Sequence, residues 1–456
     1  MSARTHEHRI ARTGIAPTGI ARTGIARTGI ARTGIATRRL ARPLATLASA
    51  VTALLLVADA FPQVAGARPV MLRTNPRVDE IRLEVELFQQ ASVDPRTGQV
   101  TVNGQQVSNL TTAPTYSASG VSIGVPVLVR TSWCDTDFSK YGARATVDGR
   151  DITLDPAKVF ARTAGTAEAM LRYDLPFQRG AAENVFVRGV YQVQRWKLSV
   201  DEAAAAGATW PREWPKGMDR FLKAESGIDP ANALVKSVAE GATKGGPRSV
   251  TPFVAARNAV LSIASRWRIT NSATSVYGQK GALRGIAFSD NTAWGLEAGG
   301  GMPVELAATC VAALRSIGIP SRIVYCLEGK SDTTGRERRS ERRGGSLQFH
   351  FICEFFLPDI GWVPFDPLVI RQQSTNAGGG VVKGFANVED LEKLLPIAYQ
   401  LVPEGYAMAD RYALWGWKGG VDVNADRAVS RIGFDDSGRG NGKVPQMPAP
   451  VSDEMP

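Results

Sequence analysis

Between residues 70 and 200 apolar and polar positions alternate one for one. The strictest run is Ile81-Arg82-Leu83-Glu84-Val85-Glu86-Leu87, and a period of two predicts a half-buried β-strand. Val100-Thr101-Val102 runs into Asn103-Gly104, and Ala145-Thr146-Val147 runs into Asp148-Gly149 ahead of Ile152-Thr153-Leu154. Both dipeptides favour the positive φ angles of tight hairpin turns. Further strands are expected over 121–129, 169–173 and 185–200. Residues 68–200 are therefore expected to form an all-β, sandwich-like domain, and no candidate catalytic group lies in it.

The period changes after residue 250. Residues 201–250 read as a connecting segment with two aromatic-proline pairs, Trp210-Pro211 and Trp214-Pro215, which suit either a binding surface or a linker that packs down. Thr251 then stands where a helix cap belongs, with Pro252 at the first helical position. Phe253, Ala256, Val260, Ile263 and Trp267 follow at helical spacing. A second helix is predicted from Pro303 to about Ile317, with Leu306, Cys310, Ala313 and Ile317 on its apolar stripe and Gly318 ending it. A strand over 323–327 comes next, then a charged loop over 328–348 with six basic and four acidic residues. His350 to Pro367 (HFICEFFLPDIGWVPFDP) reads as two strands around a Pro358-Asp359-Ile360-Gly361 turn. One more helix is expected over 388–395, and an aromatic-rich segment over 403–420. The tail from 421 to 456, rich in Gly, Pro and charge, is expected to be disordered.

Composition alters this picture mainly at the N-terminus. The formal charge of +11 over 456 residues is concentrated in residues 1–67, which hold nine Arg against Glu7 and Asp59. The remainder carries only +4, which gives no nucleic-acid footprint. Residues 10–35 repeat a five-residue IARTG unit, too short for a solenoid, and are expected to be low-complexity sequence. Arg38, Arg39 and Arg42 precede the apolar run Leu44–Ala58, and small-x-small sites follow at Ala58-Asp59-Ala60 and Ala65-Gly66-Ala67. This is the grammar of a signal peptide, so the protein is expected to be exported to the periplasm, the cell envelope or the medium. An uncleaved signal anchor is the alternative, and would be the one route to membrane association.

Candidate chemistry is sparse. Of three histidines, His6 and His8 lie in the N-terminal segment, which leaves His350 as the one imidazole beyond it, with Asp366 sixteen residues on. The four cysteines, Cys134, Cys310, Cys326 and Cys353, are too few for a disulfide scaffold in a chain of this size. Their pairing is not legible from spacing, although a bridge between Cys326 and Cys353 on neighbouring strands is conceivable. No cofactor or metal motif is present in the sequence.

The run ELAATCVAALRSIGIPSRIVY, a charged loop, and then HFICEFFLPDIGWVPFDP resembles the core of the bacterial transglutaminase-like superfamily. The likeness extends over about residues 220–370, with FLKAESGIDPANALVKSVAEGA as its lead-in. His350, Glu354, Leu357-Pro358, Gly361-Trp362 and Asp366-Pro367 all fall on the family pattern. The resemblance implies an α+β, papain-like fold over 251–420, preceded by the β domain. It also implies a Cys-His-Asp triad in which a thiolate attacks a carbonyl, with His350 as base and Asp366 as the carboxylate that orients it.

In the family register the nucleophile stands fifteen residues before Gly318, and that position holds Pro303. Gly301 and Ala307 match the flanking glycine and alanine, and Glu305 an acid found there in some members. Cys310 lies seven residues on, about 10 Å along a helix, where a thiol–imidazole pair needs about 3 Å. Three readings follow. The chain is a degenerate transglutaminase-like protein that binds peptide or protein segments beside His350 and Asp366. Alternatively it is a working cysteine hydrolase or acyltransferase on amide bonds with a displaced nucleophile such as Cys310, or it is a purely structural envelope protein.

Overall fold

The computed structural model describes residues 69–88, 120–155, 159–162, 168–177, 184–277, 283–288, 295–329, 347–373 and 382–399, with short segments between 91 and 117, at 181–182 and after 406. The protein is α+β, with several antiparallel sheets and few helices. The repeat tract and the signal-like segment lie outside the described residues, as does the charged loop over 330–346.

The alternating segment forms two large antiparallel sheets, and shorter strands of it form two small ones. In the first, β1 (Met71–Phe88) pairs along its length with a later strand, and Ile81, Leu83 and Val85 are buried while Arg82 is exposed. The second sheet is built on β2 (Gly120–Leu128). Then come β3 (Cys134–Val147) and β4 (Arg150–Ile152), joined through Asp148 and Gly149 at φ 50° and 76°, the positive angles that this dipeptide predicts. β5 (Glu168–Pro176) joins β2, and β6 (Asn184–Val200) lies between β1 and β3. The Tyr173 hydroxyl of β5 meets the Tyr141 hydroxyl of β3 at 2.8 Å and lies against Gly189 of β6, where a Cβ would collide with it.

Three short segments late in the chain join these sheets. Val429–Gly433 and Met447–Pro448 both pair with β1, and Gly416–Lys418 pairs with β2. A long outer strand leaves unpaired backbone groups along its edge, and even a glycine-rich segment can satisfy them.

The connecting segment is pinned down by its two tryptophans. Trp210 Nε1 donates to the Val250 carbonyl at 2.7 Å and Trp214 Nε1 to the Gly318 carbonyl at 3.0 Å. Helices α1 (Ala233–Gly241), α2 (Pro252–Arg266) and α3 (Pro303–Ser316) follow. Thr251 does precede α2, but its side chain makes no capping hydrogen bond; Pro252 at the first position, with its φ already suited to a helix, starts it. Residues Pro303 to Arg315 of α3 are buried on every side, not only along the predicted stripe. A helix so placed must be apolar all round, and Ala307, Ala308, Ala312 and Ala313 meet that demand. Gly318, at φ 81°, ends it.

The chain then forms β7 (Ser321–Gly329), β8 (Leu347–Leu357), β9 (Gly361–Phe365), α4 (Pro367–Gln373) and β10 (Leu395–Ala398). The sheet order is β9-β8-β7-β10, all antiparallel. The helix expected over 388–395 is only a single 3-10 turn at Leu391–Lys393 before β10. Pro396 biases Leu395 toward extended backbone, and an edge strand tolerates the missing amide donor. A hairpin of Ser275–Tyr277 with Leu283–Ile286 lies between α2 and α3. Among the described residues no helix is long and apolar enough to cross a membrane.

Candidate functional site

Alternation along β8 sorts its side chains onto two faces. Cys353 and Phe355 face the helices: the Cys353 thiol donates to the Ala307 carbonyl of α3 at 3.7 Å, and Phe355 meets Phe253 of α2. His350, Glu354 and Phe356 lie on the other face. Cys326 of β7 is the cross-strand partner of His350, and Arg322 that of Glu354.

Asp366 sits where β9 ends and α4 begins, and it serves both sides of that junction. Its Oδ1 accepts the backbone N–H groups of Leu368 and Val369 at 2.9 and 3.0 Å, as an N-cap does. Its Oδ2 lies 2.7 Å from His350 Nε2. Pro367 at the first helical position needs no donor partner. The Asp366 backbone N–H donates to the Gly384 carbonyl at 2.7 Å, which fixes the junction from the other side.

The second nitrogen of His350 is also engaged. Nδ1 lies 3.5 Å from Glu328 Oε2 at the end of β7, and Gln348 Nε2 donates to that same oxygen at 2.8 Å. Burial alone would lower the His350 pKa, but Asp366 and Glu328 outweigh it and raise the value to about 10. Both carboxylates thus favour the protonated ring. Glu328 shifts the opposite way: burial would raise it, and the bonds from His350 and Gln348 bring it below the usual carboxylate range.

Pro303 begins α3, buried, with Met302 in the cap position. Glu305 Oε2 reaches back to accept the Met302 backbone N–H at 2.8 Å, so this acid serves the helix terminus. The turn before it is tight. Gly301 N–H donates to the Arg268 carbonyl at 2.9 Å and its own carbonyl accepts from Thr270 at 3.2 Å.

All four cysteines are free and buried. Cys310 lies on α3 close enough to Cys353 for the two thiols to interact, and burial pushes its pKa far up. Through Cys353 it belongs to the helix-facing side of the sheet, whereas His350 faces away. Cys326 shares the His350 face, is fully buried and likewise pushed well up. The conceivable Cys326–Cys353 bridge is absent because the two side chains leave the sheet on opposite faces. Cys134, on β3, is raised to about 12 by burial. Among the described residues no group of three His, Cys, Asp or Glu side chains is arranged to hold a metal.

The motif arginines have structural partners. Arg322 meets Glu354 with Nη2 2.6 Å from Oε2, and the guanidinium stacks on Trp362 and Tyr399. Ser132 Oγ, from the turn between β2 and β3, donates to the other Glu354 oxygen at 3.0 Å. Arg315 ties the end of α3 to the Ser321 carbonyl at 2.9 Å and to Glu225 at 2.6 Å. The sequence brought forward His350 and Asp366, which the fold does bring together. It did not single out Glu328, which falls at the edge of the charged loop; alternation from Arg322 through Val324 and Cys326 was the one signal placing it on that face.

Residues 264–367 match the family model of the transglutaminase-like superfamily. No match was found among curated proteins. Among solved structures, a candidate cysteine protease from Cytophaga hutchinsonii shares 11% identity at a TM-score of 0.43, with 82% of this chain and 95% of that one covered. The periplasmic domain of TgpA from Pseudomonas aeruginosa shares 14% identity at a TM-score of 0.27, with 69% of this chain and 98% of that one covered.

Proposed function

We propose, from the match of residues 264–367 to the transglutaminase-like superfamily, that this is an exported protein that binds peptide or protein segments beside His350 and Asp366 without turning them over. The observation that carries this reading is Pro303 at the first residue of α3. A nucleophilic thiol there would have the positive end of the helix dipole to lower its pKa. Proline has neither thiol nor backbone N–H, so the helix keeps its start while the position loses its chemistry. The His350–Asp366 pair remains, in a core that holds its geometry.

Cys310 does not replace the missing group on any observation at hand. Its thiol is fully buried and burial keeps it protonated, whereas a nucleophile must ionise and be reachable. Export rests on the basic and apolar pattern of residues 38–67. No metal or cofactor is needed for a peptide-binding role, and the weak charge balance beyond residue 67 does not favour nucleic acid.

Labelling of the folded protein with iodoacetamide tests this. The expected result is slow modification of all four cysteines, unaffected by His350→Ala and accelerated by denaturant. Fast, pH-dependent modification of Cys310 that disappears in His350→Ala would sink the inactive reading in favour of a cysteine hydrolase or acyltransferase. The binding half is read from the His350 ring resonances during titration with unstructured peptides. No shift at millimolar peptide would leave a purely structural protein.

A further inference from the structure

A ring with two nitrogens can serve two partners. In a thiol–imidazole pair one nitrogen is held by the orienting carboxylate and the other must come within about 3 Å of the nucleophile. Here Nε2 is 2.7 Å from Asp366 Oδ2 and Nδ1 is 3.5 Å from Glu328 Oε2. The cluster is a built one: the Asp366 side chain is 3% exposed, His350 20% and Glu328 31%. We propose that Glu328 is the positioning residue of this site, which with Asp366 fixes His350 as a charged bridge joining β7, β8 and α4 and takes the nitrogen that a nucleophile would need. The idea deepens the inactive-cleft reading and rests on it for its meaning, but its chemistry can be tested alone.

Among the described residues, the groups around the ring come from three elements. Glu328 comes from β7 and Asp366 from the start of α4. Gln348, on the same strand as the histidine, braces Glu328 at 2.8 Å. Cys326, directly across on β7, is buried and held neutral. Lys393, from the turn before β10, acts on Glu328 and favours its ionised form. Among the described residues, the charges that act directly on the ring are the two carboxylates, and both favour its protonated form.

The test is an NMR pH titration of the His350 ring in the full chain, where His350→Asn identifies its resonance against those of His6 and His8. The expected wild-type ring stays protonated through pH 8, well above the ordinary midpoint of about 6.5. Glu328→Gln should lower the midpoint by about 1 pH unit or more, as loss of one close opposite charge does, and Glu328→Asp should recover part of that shift. An ordinary wild-type midpoint, or a Glu328→Gln midpoint equal to wild type, overturns the proposal. Should Glu328→Gln fail to fold, Gln348→Ala decides instead: a lowered midpoint supports the bridge and an unchanged one overturns it. Thiol labelling is a separate readout, so a reactive cysteine would defeat the inactive reading without altering these titrations.

Discussion

Arg322 and Glu354 face each other across β7 and β8 with Nη2 2.6 Å from Oε2, and the two side chains are 1% and 0% exposed. Glu354 also accepts Ser132 Oγ from the β domain, while Trp362 and Tyr399 lie over the guanidinium at 3.8 and 3.7 Å. Removing one partner leaves a buried charge without its counterion, which costs about 3–5 kcal/mol. Glu354→Ala and Arg322→Ala should each lower the unfolding free energy measured by urea titration by that amount, whereas Arg322→Met with Glu354→Leu should cost much less. A single-variant loss under about 1 kcal/mol would mean that the pair is solvated.

Gly300 makes the start of α3 possible. Its φ is 151°, and a Cβ built there would overlap the Arg268 carbonyl, which is backbone and cannot step aside. Gly300→Ala is expected to destabilise the protein by more than about 1 kcal/mol, the centre of the range for point substitutions in general. Amide exchange should rise first at residues 301–305, where the helix begins. Unchanged exchange there would show that the turn has another way to relax.

Legibility in the sequence followed how local each determinant is. The β9 turn could be read because Asp359 and Gly361 carry the positive φ values, 59° and 99°, that such residues tolerate. The Asp366-Pro367 pair marked the end of the second strand, and the resemblance to the transglutaminase-like core gave His350 and Asp366 their roles, but the helix that starts at Pro367 was not expected. Glu328 was not legible, because its meeting with His350 depends on the register of two strands separated by a long charged loop. Residues 388–395 misled for a similar reason. Their composition suits a helix, but the edge position of β10 beside β7 is a tertiary fact that Pro396 alone only hinted at.

The His350 bridge predicts a definite stability profile. Its folded pKa of about 10 lies above the unfolded value of about 6.5, so its contribution is complete below the unfolded value. It declines as pH rises from there through the folded value. Glu328 acts at the other end: its lowered pKa means that its contribution is present above about 4.3 and is lost as pH falls through the folded value. Wild-type stability should therefore decline between neutrality and pH 10 more steeply than that of His350→Gln, as measured by urea unfolding at fixed ionic strength. Parallel profiles for the two proteins would show that the ring is not held as a cation.

Asp366 carries two separable roles, and two substitutions divide them. Oδ1 caps α4 through Leu368 and Val369, and Oδ2 faces His350. Asparagine keeps a carbonyl oxygen for the cap but surrenders the negative charge. Asp366→Asn should therefore leave amide protection in α4 intact while lowering the His350 midpoint by about 1 pH unit or more. Alanine removes both, so Asp366→Ala should show the same titration change together with about 0.5–2 kcal/mol of lost stability and frayed amides at 368 and 369. If Asp366→Asn frays the helix as much as Asp366→Ala does, the charge and not the oxygen holds the cap. If neither variant moves the titration, Glu328 alone sets the protonation of His350.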